Sequence, residues 1–146
     1  KLIKILLTSV LLITSIFSFQ STAWADTPKE TFELGALYYS NGDYQTSLKL
    51  WQPLAENGYA EAQYALGVMY FHGEGVKQDY AKAVKWYSKA AEQGHVGAQN
   101  TLGALYEGKY FIGVVERDLS KAKEWFSKAC DNGYQDACDG LKRLEK

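Results

Sequence analysis

Lys85-Trp86-Tyr87-Ser88-Lys89-Ala90-Ala91-Glu92-Gln93-Gly94 returns 39 residues later as Glu124-Trp125-Phe126-Ser127-Lys128-Ala129-Cys130-Asp131-Asn132-Gly133. Each copy follows a Leu-Gly-x-x-Tyr segment, Leu66 to Tyr70 and Leu102 to Tyr106. A third, weaker copy lies upstream at Leu34-Gly35-Ala36-Leu37-Tyr38. Asp43, Asp79 and Asp118 each stand 15 residues before a glycine, at Gly58, Gly94 and Gly133, and each glycine stands 8 residues before the next leucine landmark. All length variation falls between the leucine and the aspartate. Self-similarity at this period marks a repeat architecture, in which each unit buries its apolar face only by stacking on its neighbours.

The landmarks have physical roles. The aspartate caps the free N–H groups of a second helix, and the glycine supplies the left-handed residue that closes it. Between them, Tyr80, Ala83, Val84, Tyr87 and Ala91 recur at helical spacing and predict one buried stripe. Gly67 beside Leu66 removes a side chain where a neighbouring helix approaches, and Ala62 and Ala98 stay small for the same reason. These patterns predict an all-α chain of helical hairpins, with helices over about 28–41, 44–57, 60–72, 80–93, 96–108, 119–132 and 135–145. The units are then about 28–58, 60–94 and 96–133, and 135–145 is a lone capping helix. Thr27-Pro28-Lys29-Glu30 is a capping-box pattern that opens the first helix. Polar outer faces are expected at both ends of the stack.

Residues 1–25 read as a secretory signal peptide, and residues 26–146 as one domain. Lys1 and Lys4 precede an apolar stretch from Ile5 to Phe19, and Ala23-Trp24-Ala25 supplies a small-x-small cleavage pattern. That core is short for a membrane span, which needs about 20 apolar residues, so no stable membrane anchor is expected after cleavage. The predicted location is periplasmic or extracellular. The 16 Lys and Arg against 17 Asp and Glu leave a net charge of −1. No basic stripe for nucleic acid or an anionic membrane emerges.

The stretch Ala62-x-x-x-Leu66-Gly67-x-x-Tyr70-x-x-Gly73-x-Gly75-Val76-x-x-Asp79-x-x-Lys82-Ala83-x-x-Trp86-Tyr87-x-Lys89-Ala90-Ala91-Glu92-x-Gly94 resembles a Sel-1-like repeat, a relative of the tetratricopeptide repeat. The third unit keeps Gly108, Gly113, Val114, Asp118, Lys121, Ala122 and Trp125, with its loop lengthened through residues 109–112. The first unit departs further: its Asn41-Gly42-Asp43-Tyr44 turn is short, and Trp51 sits at the Tyr87 position with Leu50 in place of Trp86. The resemblance implies a right-handed α-solenoid that acts as a protein-binding scaffold, here an exported one with a peptide or protein partner.

In tetratricopeptide-like hairpins, first-helix positions two before, two after and five after the landmark leucine face the concave side. Carried onto this chain, they are Phe32, Ala36 and Tyr39, then Tyr64, Val68 and Phe71, then Asn100, Ala104 and Glu107. The first six form an apolar and aromatic lining suited to anchoring a partner segment, while the third set turns polar. The competing reading is that these aromatics simply pack on one another between units. Cys130 and Cys138 resemble the Cys-x7-Cys bridges of secreted cysteine-rich proteins of the Hcp type, and a single Cys pair in an exported chain suits a disulfide. Such a bridge is worth about 2–3 kcal/mol. The alternative is two reduced thiols near a helix end.

Catalytic chemistry is thin. Ser120-Lys121-Ala122-Lys123 fits the Ser-x-x-Lys pattern of penicillin-interacting serine enzymes, but neither partner motif occurs. The Hcp resemblance leaves penicillin binding or weak β-lactam hydrolysis as the alternative function. His72 and His95 have no second ligand at metal spacing and read as solvent-facing loop residues. Gly73-Glu74-Gly75 reads as an inter-helix turn, and Asp131, Asp136 and Asp139 as a solvated end. No catalytic set, metal or cofactor is therefore assigned.

Overall fold

The computed structural model describes residues 27–108 and 113–146. The proposed signal segment and the 109–112 insertion lie outside the described residues. Among the described residues seven helices follow one another: α1 Pro28–Ser40, α2 Tyr44–Glu56, α3 Ala60–His72, α4 Tyr80–Glu92, α5 Val96–Glu107, α6 Leu119–Asp131 and α7 Gln135–Leu144. They form three antiparallel hairpins, α1–α2, α3–α4 and α5–α6, with α7 closing the last. Each helix packs mainly on its neighbours in sequence, and α5 also touches α7. The result is an all-α solenoid whose core is divided into three buried clusters.

Local chemistry explains the boundaries. Asp43, Asp79 and Asp118 accept hydrogen bonds from the backbone N–H of Thr46, Lys82 and Lys121, opening α2, α4 and α6. Thr27 and Glu30 form the expected reciprocal capping box at α1. Gly58, Gly94 and Gly133 take left-handed backbones, φ +94°, +91° and +84°, which a side chain would strain.

Inside each hairpin a ring packs directly on a glycine of the facing helix. Trp51 covers Gly35, Tyr87 covers Gly67 and Phe126 covers Gly103; a Cβ on Gly67 would lie 2.5 Å from the Tyr87 ring. Trp51 is thus the functional equivalent of Tyr87, and its indole N–H donates to the Phe32 carbonyl at 3.0 Å. Phe126 also faces Gly140 of α7, so the terminal helix approaches closely through a glycine of its own.

A second recurring device joins consecutive units. The Gln63 amide donates to the Ala55 carbonyl at 3.0 Å, and the Gln99 amide to the Ala91 carbonyl at 3.1 Å. At the equivalent place in the last junction, Cys130 and Cys138 are joined by a disulfide with a Cα–Cα distance of 4.8 Å. One covalent bond therefore replaces one buried hydrogen bond.

Three expectations need correction. Tyr80 is not in the buried stripe: it is 39 % exposed at the edge of α4 and packs on Phe71. The outer face of α1 is not polar, since Leu34, Leu37 and Tyr38 are exposed there. Glu107 does not face solvent on the concave side. It is buried at 6 % exposure, and its carboxylate takes both the Arg143 Nη2 at 2.9 Å and the Arg143 Nε at 3.3 Å. Truncating Arg143 would strand the buried Glu107 carboxylate, so this pair holds α7 in place.

Candidate functional site

Between the first and second hairpins lies an open cleft of about 370 Å³. Helix α1 contributes Phe32, Ala36 and Tyr39, and Trp51 of α2 forms the floor. Helix α3 supplies Glu61, Tyr64, Ala65 and Val68, and His95, at the start of α5, closes one end. Phe71 lies in an adjoining cavity of about 310 Å³ that shares Tyr64 and Val68 and reaches Tyr87, Thr101 and Leu105. Five of the six predicted lining residues therefore meet in one cleft, and the sixth extends it. Of the third-unit positions, Ala104 packs against the cluster formed by α6 and α7 and Glu107 is buried against α7.

The predicted lining rings are also packed, on other rings of the hairpins rather than on one another. Phe32 stacks on Trp51 with centroids 5.4 Å apart, and Tyr39 meets Trp51 at 5.4 Å and Tyr44 at 5.1 Å. Tyr64 touches Tyr87 at 5.6 Å. One side of each ring is fixed by packing while Phe32, Tyr39 and Tyr64 remain only half-buried. A wall held in that way loses little side-chain entropy when something binds it. The Tyr39 hydroxyl donates to the Glu74 carboxylate, tying the Gly73-Glu74-Gly75 turn to the cleft. Burial and that carboxylate push the Tyr39 phenol well above its ordinary pKa, so it stays a donor.

His95 departs from the expectation of a solvent-facing loop residue. Its Nδ1 accepts the backbone N–H of Ala98 at 3.1 Å, making it the N-cap of α5, and its ring stacks on Tyr64 at 4.6 Å. Burial holds its pKa below the ordinary imidazole value, outweighing the opposite pull of Glu61. The capping position is shared by Tyr59 and Tyr134, neither of which makes a side-chain cap. That shared register, together with Trp51 standing where Tyr87 stands, was the signal available for both residues. Glu61 carried no comparable signal.

The remaining candidates stay apart. Ser120 and Lys123 are both exposed on α6, His72 is exposed at the end of α3, and Asp131, Asp136 and Asp139 are exposed around α7. Among the described residues no group of three or more His, Cys, Asp or Glu is placed to hold a metal ion. None of the described helices is long and apolar enough to cross a membrane.

The Sel1 repeat model matches residues 31–59, 60–95 and 96–134, the three observed hairpins. Among solved structures, a Sel1 repeat protein from Oxalobacter formigenes is similar over 80 % of this chain and 47 % of its own, at 28 % identity and a TM-score of 0.72. A protective antigen present in uropathogenic Escherichia coli strains, displaying an SLR fold, is similar over 87 % of this chain at 32 % identity and a TM-score of 0.55. There the match spans 35 % of the antigen, so the chain corresponds to half or less of both proteins. No curated protein matches it.

Proposed function

The chain belongs to the Sel1 repeat family, and from that premise we propose that it is an exported interaction scaffold that holds a peptide or protein partner in the cleft between its first two hairpins. The observation that carries the reading is the convergence of Phe32, Ala36, Tyr39, Tyr64 and Val68 on one half-open, aromatic cleft. Stacked hairpins build such surfaces readily, and pre-positioned aromatic rings are effective anchors for a partner's side chains. Phe71 extends the same lining toward the third hairpin. Export is supported by the pattern of residues 1–25 and by the Cys130–Cys138 disulfide, since such bonds persist in oxidising compartments. The partner acts from the periplasm or outside the cell in this reading.

The test uses Ala36, which lines the cleft from an exposed helical position. Immobilised protein should capture a partner from an extract of the producing cells. Ala36→Arg should lower that capture at least about tenfold while shifting stability by less than about 0.5 kcal/mol. Undiminished capture by a normally melting Ala36→Arg protein would refute the cleft as the binding surface.

A further inference from the structure

We infer that the cleft selects a basic side chain, a lysine or arginine of the partner, whose aliphatic stem lies on Val68 and Ala36 and whose cation sits between the aromatic wall and Glu61. This rests on the cleft being the binding surface, and it adds the chemistry of what enters. Among the described residues Glu61 is the one carboxylate lining the cleft, and no Lys or Arg lines it. Among the described residues Glu61 has no ion-pair partner, whereas Glu33 nearby is paired with Lys29 at 3.8 Å. Burial disfavours the charged form of His95 at the closed end, so the Glu61 carboxylate sets the local charge.

The rest of the molecule shows what its aromatic rings do when a cation is within reach. Lys89 lies over Trp86 at 4.5 Å and Lys128 over Trp125 at 4.3 Å. Lys82 lies over Tyr70 at 5.2 Å and Lys121 over Tyr106 at 5.1 Å. Among the described residues, no such cation covers Phe32, Tyr39, Trp51 or Tyr64. The cleft therefore combines electron-rich ring faces, an unpaired carboxylate and an apolar trough. A lysine or arginine side chain satisfies all three, because its methylene stem packs on apolar surface while its head pairs with the charge. An acidic segment would place like charges together, and a purely apolar one would leave Glu61 covered and unpaired.

The experiment is a set of NMR titrations of the 15N-labelled protein with blocked pentapeptides Gly-Ala-Xaa-Ala-Gly, where Xaa is lysine, arginine, norleucine or glutamate. The lysine and arginine peptides should shift the Glu61, Tyr64 and Val68 amides and the Trp51 indole. They should bind about five- to tenfold more tightly than norleucine, the sum of one exposed ion pair and one exposed cation–π contact. Glu61→Gln should reduce that preference to about threefold, the part left to the cation–π contact. Equal binding of norleucine and lysine would overturn the cation preference while leaving the cleft as a binding surface. A preference untouched by Glu61→Gln, or tighter binding of the glutamate peptide, would also overturn it. The absence of any cleft shift with all four peptides would overturn the inference outright, and the Ala36→Arg capture test would still decide the cleft separately.

Discussion

His95 links a helix cap to the cleft wall through a single imidazole. Nδ1 is occupied as an acceptor, so the proton of the neutral ring sits on Nε2. Protonating Nδ1 removes the cap. Because burial lowers its folded pKa, the unfolded chain takes up the proton first as pH falls. The stability tied to this group is fully present above about pH 6.5 and is lost as pH falls through that value toward the folded pKa. Glu30, Asp43 and Asp118 are also shifted downward, by hydrogen bonds chiefly from Thr27, Thr46 and the Lys121 N–H respectively. Their contributions disappear only at lower pH, as it falls through each folded carboxylate pKa, which keeps the two windows apart. Thermal melts at pH 7 and 5.5 should show a larger drop for the native protein than for His95→Asn, since asparagine caps without titrating. Equal drops would remove His95 as the source. The sequence placed this residue one step after a turn glycine but not its ring on Tyr64, because stacking across 31 positions depends on how two hairpins settle against each other.

At the scale of elements, the junctions between units differ in how completely their polar groups are satisfied. In the first junction the Gln63 side-chain oxygen accepts from the Gln93 amide at 2.7 Å. In the second, Gln99 occupies the same place, but its oxygen is buried without a protein donor among the described residues. The residue at the Gln93 position there is Asn132, which is one methylene shorter and turns back onto the Lys128 carbonyl at 2.8 Å. Asn132→Gln should restore the reach and stabilise the protein by about 1 kcal/mol, measured by urea titration. A loss of stability would show that the orphan oxygen is satisfied in another way. The helices themselves were legible within about a residue at each end because caps, turn glycines and the apolar period are local. Their junction chemistry was not, although Gln63 and Gln99 stood in register with Cys138 all along. Nothing in a single glutamine says that it will fold back onto a carbonyl eight residues earlier.

Across the whole molecule, burial at equivalent positions depends on whether a neighbouring unit exists to cover them. Leu34 is 41 % exposed where Leu66 and Leu102 are at 1 % and 0 %, and Leu37 is 58 % exposed where Met69 and Leu105 are both at 0 %. Each internal unit covers the next one's first helix, and α1 has no preceding hairpin among the described residues. Leu37→Lys should therefore change stability by less than about 0.5 kcal/mol, while Leu105→Lys costs more than about 3 kcal/mol through a buried unpaired charge. Denaturant titrations of the two variants would check the contrast, and similar losses at both sites would contradict the stacking description. The amino-acid sequence by itself determined the repeat, its helices and their caps, because these follow from spacing along the chain, while most cleft residues were indicated by the resemblance to tetratricopeptide-like hairpins. Only the tertiary structure decided that Trp51 floors the cleft, that Glu61 and His95 join it, that Glu107 turns inward to Arg143, and that the leucines of α1 stay open. Those outcomes depend on which surfaces meet when hairpins stack, and periodicity specifies faces without specifying what will cover them.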